Sequence, residues 1–446
     1  MKKIVTLSLL LAFAIAPREA EAKKKKSSEV VLETPSILPA EVDLTKGWKL
    51  TWNDEFDYDT DKLDDKWIFQ NSKSGGMVIS SRWRENAEIK DGVLHLYARK
   101  EERGGQEWTT ASMWTKKQDF LYGYMEARYK FAEAPGLNNS FWMWNSHQDQ
   151  YPYELDPCEG HYPNIINTNC HLWAYQGKKV NIEESRAYMG GKPQVTQPYA
   201  THTFDKPIKA SKIRLRTSVP YLLSVNEFRI FAPNAAGYPT KNIRANNAES
   251  EVAGLKNLAR LATTKITASG HKEVAGRVTD CSAVADGKMN TSWSTAEEID
   301  KWLEFDFGSM LEIGNIQFTS GWMQKTKDLP MQRSNWRKVM TQYDIEYFDG
   351  EKWITAVEYD HSGGADFSKE YHSYGMYWDK EKIIYYFDGK PIRTIPFSEL
   401  CEPVHSPTKL YFSLAVLSDS FAGVVTDKID GTSMKVDYVR VYEKKK

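Results

Sequence analysis

The amino-acid sequence predicts an antiparallel all-β protein in which sheets stack into a sandwich. Helical periodicity is scarce, and short alternating or apolar runs are punctuated by Gly, Asn, Asp and Pro. Such runs occupy residues 93–98, 122–131, 140–144, 383–387, 409–416 and 435–442. Because each short strand has one face to bury, stacked sheets are the expected architecture.

Three carboxylates lie within six residues of a segment that otherwise has the pattern of a strand: Glu154, Asp156 and Glu159. Residues two apart share a face of a strand, so Glu154 and Asp156 point the same way, while Glu159 points the other way in a regular strand. A β-bulge adds one residue to the strand and would turn Glu159 to the same face as Glu154 and Asp156. Pro157, which cannot donate a ladder hydrogen bond, stands between Asp156 and Glu159, where such a bulge is needed. The sequence therefore predicts a bulge that brings all three acids to one face.

Two carboxyl groups on one face have the chemistry of a glycosidase. A retaining enzyme holds them about 5 to 5.5 Å apart, so that one attacks the anomeric carbon and the other protonates the departing oxygen. Taken alone, the triplet is equally typical of a solvated acidic strand edge. The flanking sequence has to decide between the two.

The composition bears on the ligand through aromatic residues rather than through charge. A formal net charge of −1 gives no reason to expect nucleic acid or an anionic membrane as partner. The chain has 15 Trp and 24 Tyr, and flat aromatic faces stack on sugar rings. Packing in sandwich cores accounts for most of these rings, and sugar binding is the hypothesis for the rest.

The N-terminus has the pattern of a signal peptide over residues 1–22. Lys2 and Lys3 precede an apolar run at residues 4–16, and an A-x-A cleavage pattern follows at residues 20–22. That run is too short to span a bilayer, and no later stretch approaches 18 consecutive apolar residues. Export to the cell exterior or periplasm without a membrane span is predicted, with a solvated linker over residues 23–44.

Four cysteines in a chain of this length do not make a disulfide scaffold. Cys158 and Cys170 flank a predicted hairpin at residues 161–164, which leaves open a cross-strand bridge or two free thiols. Cys281 and Cys401 have no evident partner. Since no cysteine precedes Cys158, lipid attachment at the mature N-terminus is excluded.

A series of motifs resembles glycoside hydrolase family 16, the family of laminarinases and agarases. In chain order they are residues 52–57, 84–87 with 91–92, 122–128, 141–143, the acid triplet, 371–375 with Trp378, 387–390 and 436–442. The resemblance predicts two hydrolase parts, residues 45–180 and 364–446. It implies a concanavalin-like β-jelly-roll of two sheets with a substrate cleft on the concave face.

The resemblance also implies catalytic roles for the acid triplet. Glu154 is expected to be the nucleophile, Glu159 the general acid and then base, and Asp156 the group between them. Repulsion from Glu154 and Asp156 is expected to favour a proton on Glu159. Pro157 and Cys158 depart from the aliphatic residues that are usual in the family.

Aromatic and polar residues near the triplet are candidates for substrate binding. Trp142 and Trp144 share one face of a strand, and the resemblance places Trp142 in the cleft as a platform for a sugar; core packing of both is the alternative. Arg84 and Asn86 match positions that bind hydroxyls on the non-reducing side of the cleavage point, with a surface turn as the alternative. His171 faces either the cleft or a structural partner.

Three further aromatic residues are candidates for additional subsites, although their faces cannot be assigned from the pattern: Trp83, Trp173 and Tyr175. The stretch 411–423 departs from the family, which usually has an Asn and paired glycines where this chain has Ser413 and Leu417-Ser418. Because this strand is expected to border the cleft, the substrate preference of this chain is allowed to differ from that of the β-1,3-glucan enzymes in the family.

Residues 181–363 have no counterpart in that family and are predicted to form an inserted domain. Three stretches resemble the front of a discoidin or coagulation factor 5/8 type C domain, the fold of family 32 carbohydrate-binding modules: residues 282–293, 302–308 and 343–347. Stretches that resemble the closing strands of the same fold come earlier in the chain instead of later: residues 204–207, 210–215 and 225–230.

This order indicates a circular permutation in which the original termini join through residues 232–256. Domain termini usually lie close together at the surface, which makes both permutation and insertion tolerable. Leu255, Leu258 and Leu261 at helical spacing predict a short helix at the end of the joining segment. Two incomplete modules are the alternative, but they would leave sheet edges exposed.

The two resemblances suggest structural calcium and no catalytic cofactor. A convex-face site of many hydrolase members matches three oxygen donors: Glu55, the Gly92 carbonyl and Asp437. A loop site of discoidin-like modules matches another three: Glu227, Asp286 and Thr291. Oxygen ligands of this kind suit Ca²⁺, although unpaired surface acids are also common without an ion.

The sequence as a whole predicts a secreted, monomeric, retaining endo-β-glycanase that acts on a β-linked polysaccharide, with β-1,3-glucan of the laminarin type favoured. An agarase-like or carrageenase-like enzyme, or an endo-β-galactosidase acting on host glycans, is the alternative on the same site. A catalytically silent lectin that binds carbohydrate through the inserted module is the alternative from another class.

Overall fold

The computed structural model describes residues 32, 34–145, 152–173, 182–193, 199–239, 255–273, 278–288, 291–295, 300–321, 339–400, 402–418 and 422–445. The predicted signal peptide and Tyr175 lie outside these residues. Contacts divide the chain into residues 1–37 and a compact unit over Leu38–Lys446. Everything below concerns that second unit.

Strands dominate the unit. In chain order they are β1 (Trp48–Asp54), β2 (Trp67–Phe69), β3 (Ser80–Arg82), β4 (Ala87–Lys90), β5 (Val93–Tyr97), β6 (Arg99–Arg103), β7 (Gln106–Thr110), β8 (Ser112–Thr115), β9 (Gly123–Lys130), β10 (Leu137–Asn145), β11 (Tyr153–His161), β12 (Ile165–Leu172), β13 (Ile182–Met189), β14 (Lys192–Pro193), β15 (Tyr199–Thr217), β16 (Ser224–Phe231), β17 (Lys265–Ala268), β18 (Trp293–Ser294), β19 (Lys301–Ser320), β20 (Gln342–Phe348), β21 (Trp353–Asp360), β22 (His372–Trp378), β23 (Lys382–Phe387), β24 (Lys390–Pro396), β25 (Thr408–Val416) and β26 (Ser433–Lys444).

Helical structure in the described residues is limited to short turns between strands. One α-helical turn, α1, spans Leu63–Lys66, and the 3₁₀ turns are Leu44–Lys46, Thr60–Lys62, Arg84–Asn86, Leu258–Arg260, Cys281–Ala285, Phe397–Glu399 and Asp427–Ile429. A single 3₁₀ turn at Leu258–Arg260 lies where the leucine spacing predicts a short helix, but Leu255 and Leu261 stand outside it. None of the described helices is long and apolar enough to cross a membrane.

Two antiparallel sheets form the sandwich that the alternating runs predict. The first sheet has the order β24-β23-β22-β9-β26-β5-β4, with β1 paired to β26. The second sheet has the order β14-β13-β12-β11-β10-β25-β8-β2. A core of buried apolar side chains from both sheets joins them, including Met125 and Val439 of the first sheet and Phe141, Leu155 and Phe412 of the second. The predicted all-β sandwich is confirmed.

A third sheet is built from the middle of the chain, in the order β18-β16-β19-β15-β20-β21 with β17 paired to β19. It has a second core that includes Phe228, Phe305, Phe318 and Ile345, to which Ile165 of β12 and Met189 of β13 also contribute. A small sheet of β3, β7 and β6 lies beside the sandwich, and its β3 and β7 are parallel.

The turn between β11 and β12 forms the hairpin predicted at residues 161–164. Cys158 and Cys170, on either side of it, are buried and form no disulfide. They are not cross-strand neighbours, because Cys170 lies opposite Leu155. The alternative of two free thiols is the one the structure adopts.

Candidate active site

The acid-bearing strand contains the predicted bulge. Against β10, Cys158 lies opposite Phe141 and Leu155 lies opposite Met143, so three steps on β11 match two on β10. Against β12, the register shifts between Asp156 and Glu159 in the same way. One extra residue therefore lies in the Asp156–Glu159 stretch, where Pro157 stands, and the prediction of a bulge is confirmed.

The bulge puts the acids on the face of the second sheet that points away from the core. Phe141, Met143 and Leu155 alternate with these positions and are buried in the core between the two sheets. The opposite side, called the open face below, carries the acid triplet together with Trp142, Trp144 and His171. The structure thus brings six of the predicted site residues onto one surface.

Glu154 lies between two cross-strand neighbours, Trp144 on β10 and His171 on β12. The indole N–H of Trp173 donates a hydrogen bond to Glu154 Oε2 at 3.1 Å. Burial raises the pKa of Glu154 to about 9, and the charge of Asp156 adds to the shift. These surroundings favour the protonated form of Glu154 at neutral pH.

Asp156 is the most enclosed of the three acids, with only 1% of its surface exposed. Its Oδ2 lies 3.4 Å from Nε2 of His171. Burial, and then the charge of Glu159, raise the pKa of Asp156 well above its usual range. The surroundings of Asp156 and Glu154 thus favour a proton on each of these two carboxyls.

Glu159 is held by two amide side chains. Asn138 Nδ2 donates to one carboxylate oxygen and Asn169 Nδ2 to the other, each at 2.7 Å. Both donors fix the direction of the carboxylate. Asn138 and Asn169 were not predicted from the sequence; the signal was their parity, since Asn138 alternates with Trp142 and Asn169 with His171 on the open face.

An aromatic strip runs across the open face from the acids. The ring centroids of Trp142 and Tyr411 are 4.2 Å apart, and those of Tyr411 and Trp114 are 5.5 Å apart. Trp142 also donates its indole N–H to Ser413 at 3.0 Å. Flat partly exposed rings in a row are suited to stacking on successive sugars. Tyr411 and Trp114 were not predicted, although both stand at alternating positions of their strands.

The predicted residues Arg84 and Asn86 are bound within the protein. The Arg84 guanidinium donates to Asp64 Oδ2 at 2.8 Å and to the carbonyls of Thr60 and Ala87 at 2.8 and 3.0 Å. Asn86 is fully buried and donates to Thr109 Oγ1 at 3.0 Å. The structure does not bring either side chain to the acids.

The two aromatic candidates within the described residues have different surroundings. Trp83 packs against the Arg103 guanidinium, 3.9 Å from the ring centroid, away from the triplet. Trp173 stacks on His171 at 4.9 Å and contacts Glu154. Trp173 therefore belongs to the site, and His171 lies between it and Asp156.

The two carboxylates of the first expected calcium site are ion-paired with arginines. Arg440 donates to both oxygens of Glu55, at 2.9 and 2.7 Å, and Asp437 is ion-paired with Arg128. Gly92 lies in the turn between β4 and β5. Because a guanidinium group already neutralises each carboxylate, this set does not fit a calcium ion as it stands.

The second set lies together beside β16. Thr291 Oγ1 donates to Asp286 Oδ2 at 2.9 Å, and the Gly287 N–H donates to Glu227 Oε2 at 3.1 Å. Burial raises the pKa of Glu227 to about 7, against the opposing effects of the Gly287 N–H and Arg229. A buried carboxylate beside a second acid and a hydroxyl fits a hard cation.

Comparison with known proteins points to one family. The sequence profile of glycosyl hydrolases family 16 matches residues 76–205 and 331–440. The beta-glucanase of Rhodothermus marinus is 32% identical over 142 residues, which make up 29% of this chain and 50% of that protein. The clotting factor G alpha subunit of Tachypleus tridentatus is 30% identical over 101 residues, 22% of this chain and 15% of that protein. The chain thus spans half or less of the length of these relatives.

Solved structures of laminarinases are also similar. The laminarinase from Rhodothermus marinus has a TM-score of 0.44 at 15% identity, covering 90% of this chain and 98% of that chain. The catalytic domain of the endo-1,3-beta-glucanase from Thermotoga petrophila RKU-1 has a TM-score of 0.43 at 15% identity, covering 90% and 100%. The profile match extends over more than half of the residues, and the chain therefore belongs to glycosyl hydrolases family 16.

Proposed function

We propose that this chain is an exported, retaining endo-β-glycanase that hydrolyses internal bonds of a β-linked polysaccharide, with β-1,3-glucan favoured. The observation that carries the proposal is the bulge in β11, which gives Glu154, Asp156 and Glu159 a common open face. The aromatic strip beside them supports a polymeric sugar substrate. The relatives named beta-glucanase and endo-1,3-1,4-beta-glycanase support a glucan backbone.

In the proposed mechanism Glu154 attacks the anomeric carbon while Glu159 protonates the departing oxygen. Glu159 then takes a proton from the water that hydrolyses the glycosyl-enzyme. Glu154 has to be ionised to attack, and positive charge developing on the sugar ring favours that form. Since Glu154 has to lose a proton and Glu159 has to carry one, moving a proton from Glu154 to Glu159 balances the step, while Asp156 keeps its own.

Azide rescue tests both the mechanism and the assignment of roles. Glu154→Ala is expected to lose hydrolysis by about 10⁴-fold and to form an α-glycosyl azide from an activated β-glycoside, because azide replaces the nucleophile in a single inversion. Glu159→Ala is expected to give the β-glycosyl azide, because azide then attacks the glycosyl-enzyme in a second inversion. NMR determines the anomeric configuration of the glycosyl azide that each variant forms. A β-azide from Glu154→Ala and an α-azide from Glu159→Ala would reverse the roles of the two acids.

A galactan substrate is the second candidate, and Ser413 is the observation in its favour. Ser413 accepts the indole N–H of Trp142 and is hydrogen-bonded to Ser112 at 2.8 Å, so the ring next to the acids is held by a residue that departs from the family. Mass analysis of products from laminarin, mixed-linkage glucan, agarose, carrageenan and mucin glycans separates the candidates. A silent lectin would bind one of these polymers and release nothing from any.

We further propose that the middle of the chain forms the inserted, circularly permuted discoidin-like domain that was predicted for residues 181–363, beginning after Pro193 instead of at residue 181. The third sheet with its second core supports this, and so does the profile match, which leaves residues 206–330 uncovered. At the first boundary, β13 and β14 still pair in the second sheet. The sandwich therefore uses residues up to Pro193 before the chain enters the third sheet.

A structural calcium ion in this domain would make the protein more stable. With free Ca²⁺ at a hundred times its Kd, the expected gain in unfolding free energy is about 2.7 kcal/mol, measured as a rise in Tm on adding Ca²⁺ to protein treated with EDTA. Glu227→Gln should remove the gain, whereas Glu55→Gln should leave it unchanged. A Tm that does not respond to Ca²⁺ in the unaltered protein would contradict the proposal.

A further inference from the structure

Arg82, the last residue of β3, has a guanidinium group with little to bind. Its Nη1 donates to Gln70 Oε1 at 3.2 Å. Among the described residues Nε is enclosed without an acceptor, while Nη2 has no acceptor and is not enclosed. Burial lowers the pKa of Arg82 to about 10, and no neighbouring carboxylate offsets this effect. Enclosing a cation without a counter-charge is unfavourable, so a partner from outside the chain is indicated.

The Arg82 side chain lies on the open face. Arg82 is directly opposite Ser72 across an antiparallel bridge, and Gln70 Nε2 donates to Ser72 Oγ at 3.0 Å, so the three side chains share a side. Gln70 continues β2, because its N–H donates to the Ser112 carbonyl at 3.0 Å. Trp67 and Phe69 of β2 point into the core, and Gln70, out of phase with them, points to the open face.

A continuous row of polar side chains connects this place to the acids. Strand by strand it consists of Gln70, Ser112, Ser413, Ser140 and Glu159. Four strand spacings separate Gln70 from Glu159, about 19 Å at 4.8 Å each. The aromatic strip lies in the adjacent row and ends at Trp114, next to Ile68 of β2. The three serines of the row are at most 5% exposed, so the accessible surface along this path is the aromatic strip, which is long enough for several sugar units and has Arg82 beyond its far end.

We propose that Arg82 forms an oxyanion-binding subsite at this end of the cleft, which receives a carboxylate or sulfate substituent of the polysaccharide. The inference rests on the proposed action on a β-linked polysaccharide and adds that the backbone carries an anionic substituent at this end of the cleft. Carboxylates and sulfates share the oxygen geometry that a guanidinium binds with charge-assisted hydrogen bonds. A neutral sugar offers hydroxyl groups that leave the charge of Arg82 uncompensated.

Arg84 provides a matched control two residues away. It is also an arginine near the same edge of the sheet, but its donors are used by Asp64 and by two backbone carbonyls. Arg84→Met removes the same charge without touching the proposed subsite. Arg82→Met should leave the free energy of unfolding unchanged or raised, because it removes an uncompensated buried charge.

The test measures binding in a background that carries Glu154→Gln, so that no substrate is turned over. The probes are laminarin and agarose, each in its neutral form, carboxylated at the primary hydroxyl groups, and sulfated. Affinity electrophoresis should show about 10- to 100-fold tighter binding of an anionic form than of its neutral parent, the range of a hydrogen bond to a charged group. The preference should weaken at high salt, vanish in Arg82→Met and persist in Arg84→Met.

The outcomes separate this inference from the proposed function. Comparison of the carboxylated and sulfated forms shows which substituent the subsite accepts. Equal affinity for neutral and anionic forms, or a preference that survives Arg82→Met, overturns the subsite while hydrolysis by the unaltered protein upholds the glycanase. If no form of either polymer binds and none is hydrolysed, the subsite and the proposed function both fall.

Discussion

Replacing Glu154 by Gln is expected to abolish hydrolysis and, at the same time, to stabilise the folded protein above about pH 5. Loss of the proposed nucleophile should lower kcat by about 10⁴-fold. The gain in stability has a separate cause, which is that burial and the charge of Asp156 make an ionised Glu154 unfavourable. Active sites often reduce stability in this way, because groups are held where function needs them.

The sign follows from proton linkage. The pKa of Glu154 is raised from its ordinary value of 4.5 to about 9 in the folded protein, so the folded state binds the proton more tightly than the unfolded state does. The stabilisation from this proton is complete below pH 4.5 and is lost as pH rises through 9. At 1.36 kcal/mol per pH unit the loss reaches about 3 kcal/mol by pH 7. A glutamine has no proton to lose, so the variant escapes this loss.

Urea unfolding of both proteins between pH 4 and pH 9 measures the effect. The stability of Glu154→Gln minus that of the unaltered protein should be near zero at pH 4 and should grow with pH. Glu88→Gln, at an exposed position of β4, is the control for a change of net charge alone. A difference that stays constant with pH, or that falls, would show that Glu154 is not the group that resists ionisation.

Local pattern was sufficient to predict the strands and the common face of the three acids. Alternating runs such as residues 409–416 have the period of a strand, and that period is preserved in β25. The bulge was also predictable, since Pro157 is excluded from a regular ladder and parity requires one extra residue between Glu154 and Glu159. These features depend on neighbours in the chain alone.

The hydrogen-bond partners of individual side chains were harder to predict from the sequence, because they depend on tertiary contacts. Arg84 and Arg82 look alike in the sequence, but only the structure shows that Asp64 and two carbonyls use the donors of Arg84. The amides of Asn138 and Asn169 reach Glu159 from two different strands. In the same way, the fit of calcium at Glu55 was decided by Arg440, which lies 385 residues away in the chain.

Two single-residue deletions in β11, one before the bulge and one within it, should differ in their effect on hydrolysis. Removing Leu155 shifts the preceding residues by one position, so Glu154 enters the core face in place of an apolar side chain. Hydrolysis should fall by about 10⁴-fold, and the buried carboxyl should cost about 3 kcal/mol of stability. Removing Pro157 instead leaves Glu154 and Glu159 four positions apart in a regular strand, which still places them on one face.

The Pro157 deletion is therefore the decisive variant, because it should fold and keep measurable hydrolysis although it shortens the catalytic strand. Circular dichroism and urea unfolding establish the fold of both variants before activity is compared. The extra residue at the bulge serves, on this hypothesis, only to bring Glu154 and Glu159 to the same face. Removing it places both acids on one face again, because they are then four positions apart in a regular strand. A folded but inactive Pro157 deletion would mean that the spacing within the bulge, and not the shared face, is what the acids of this chain require.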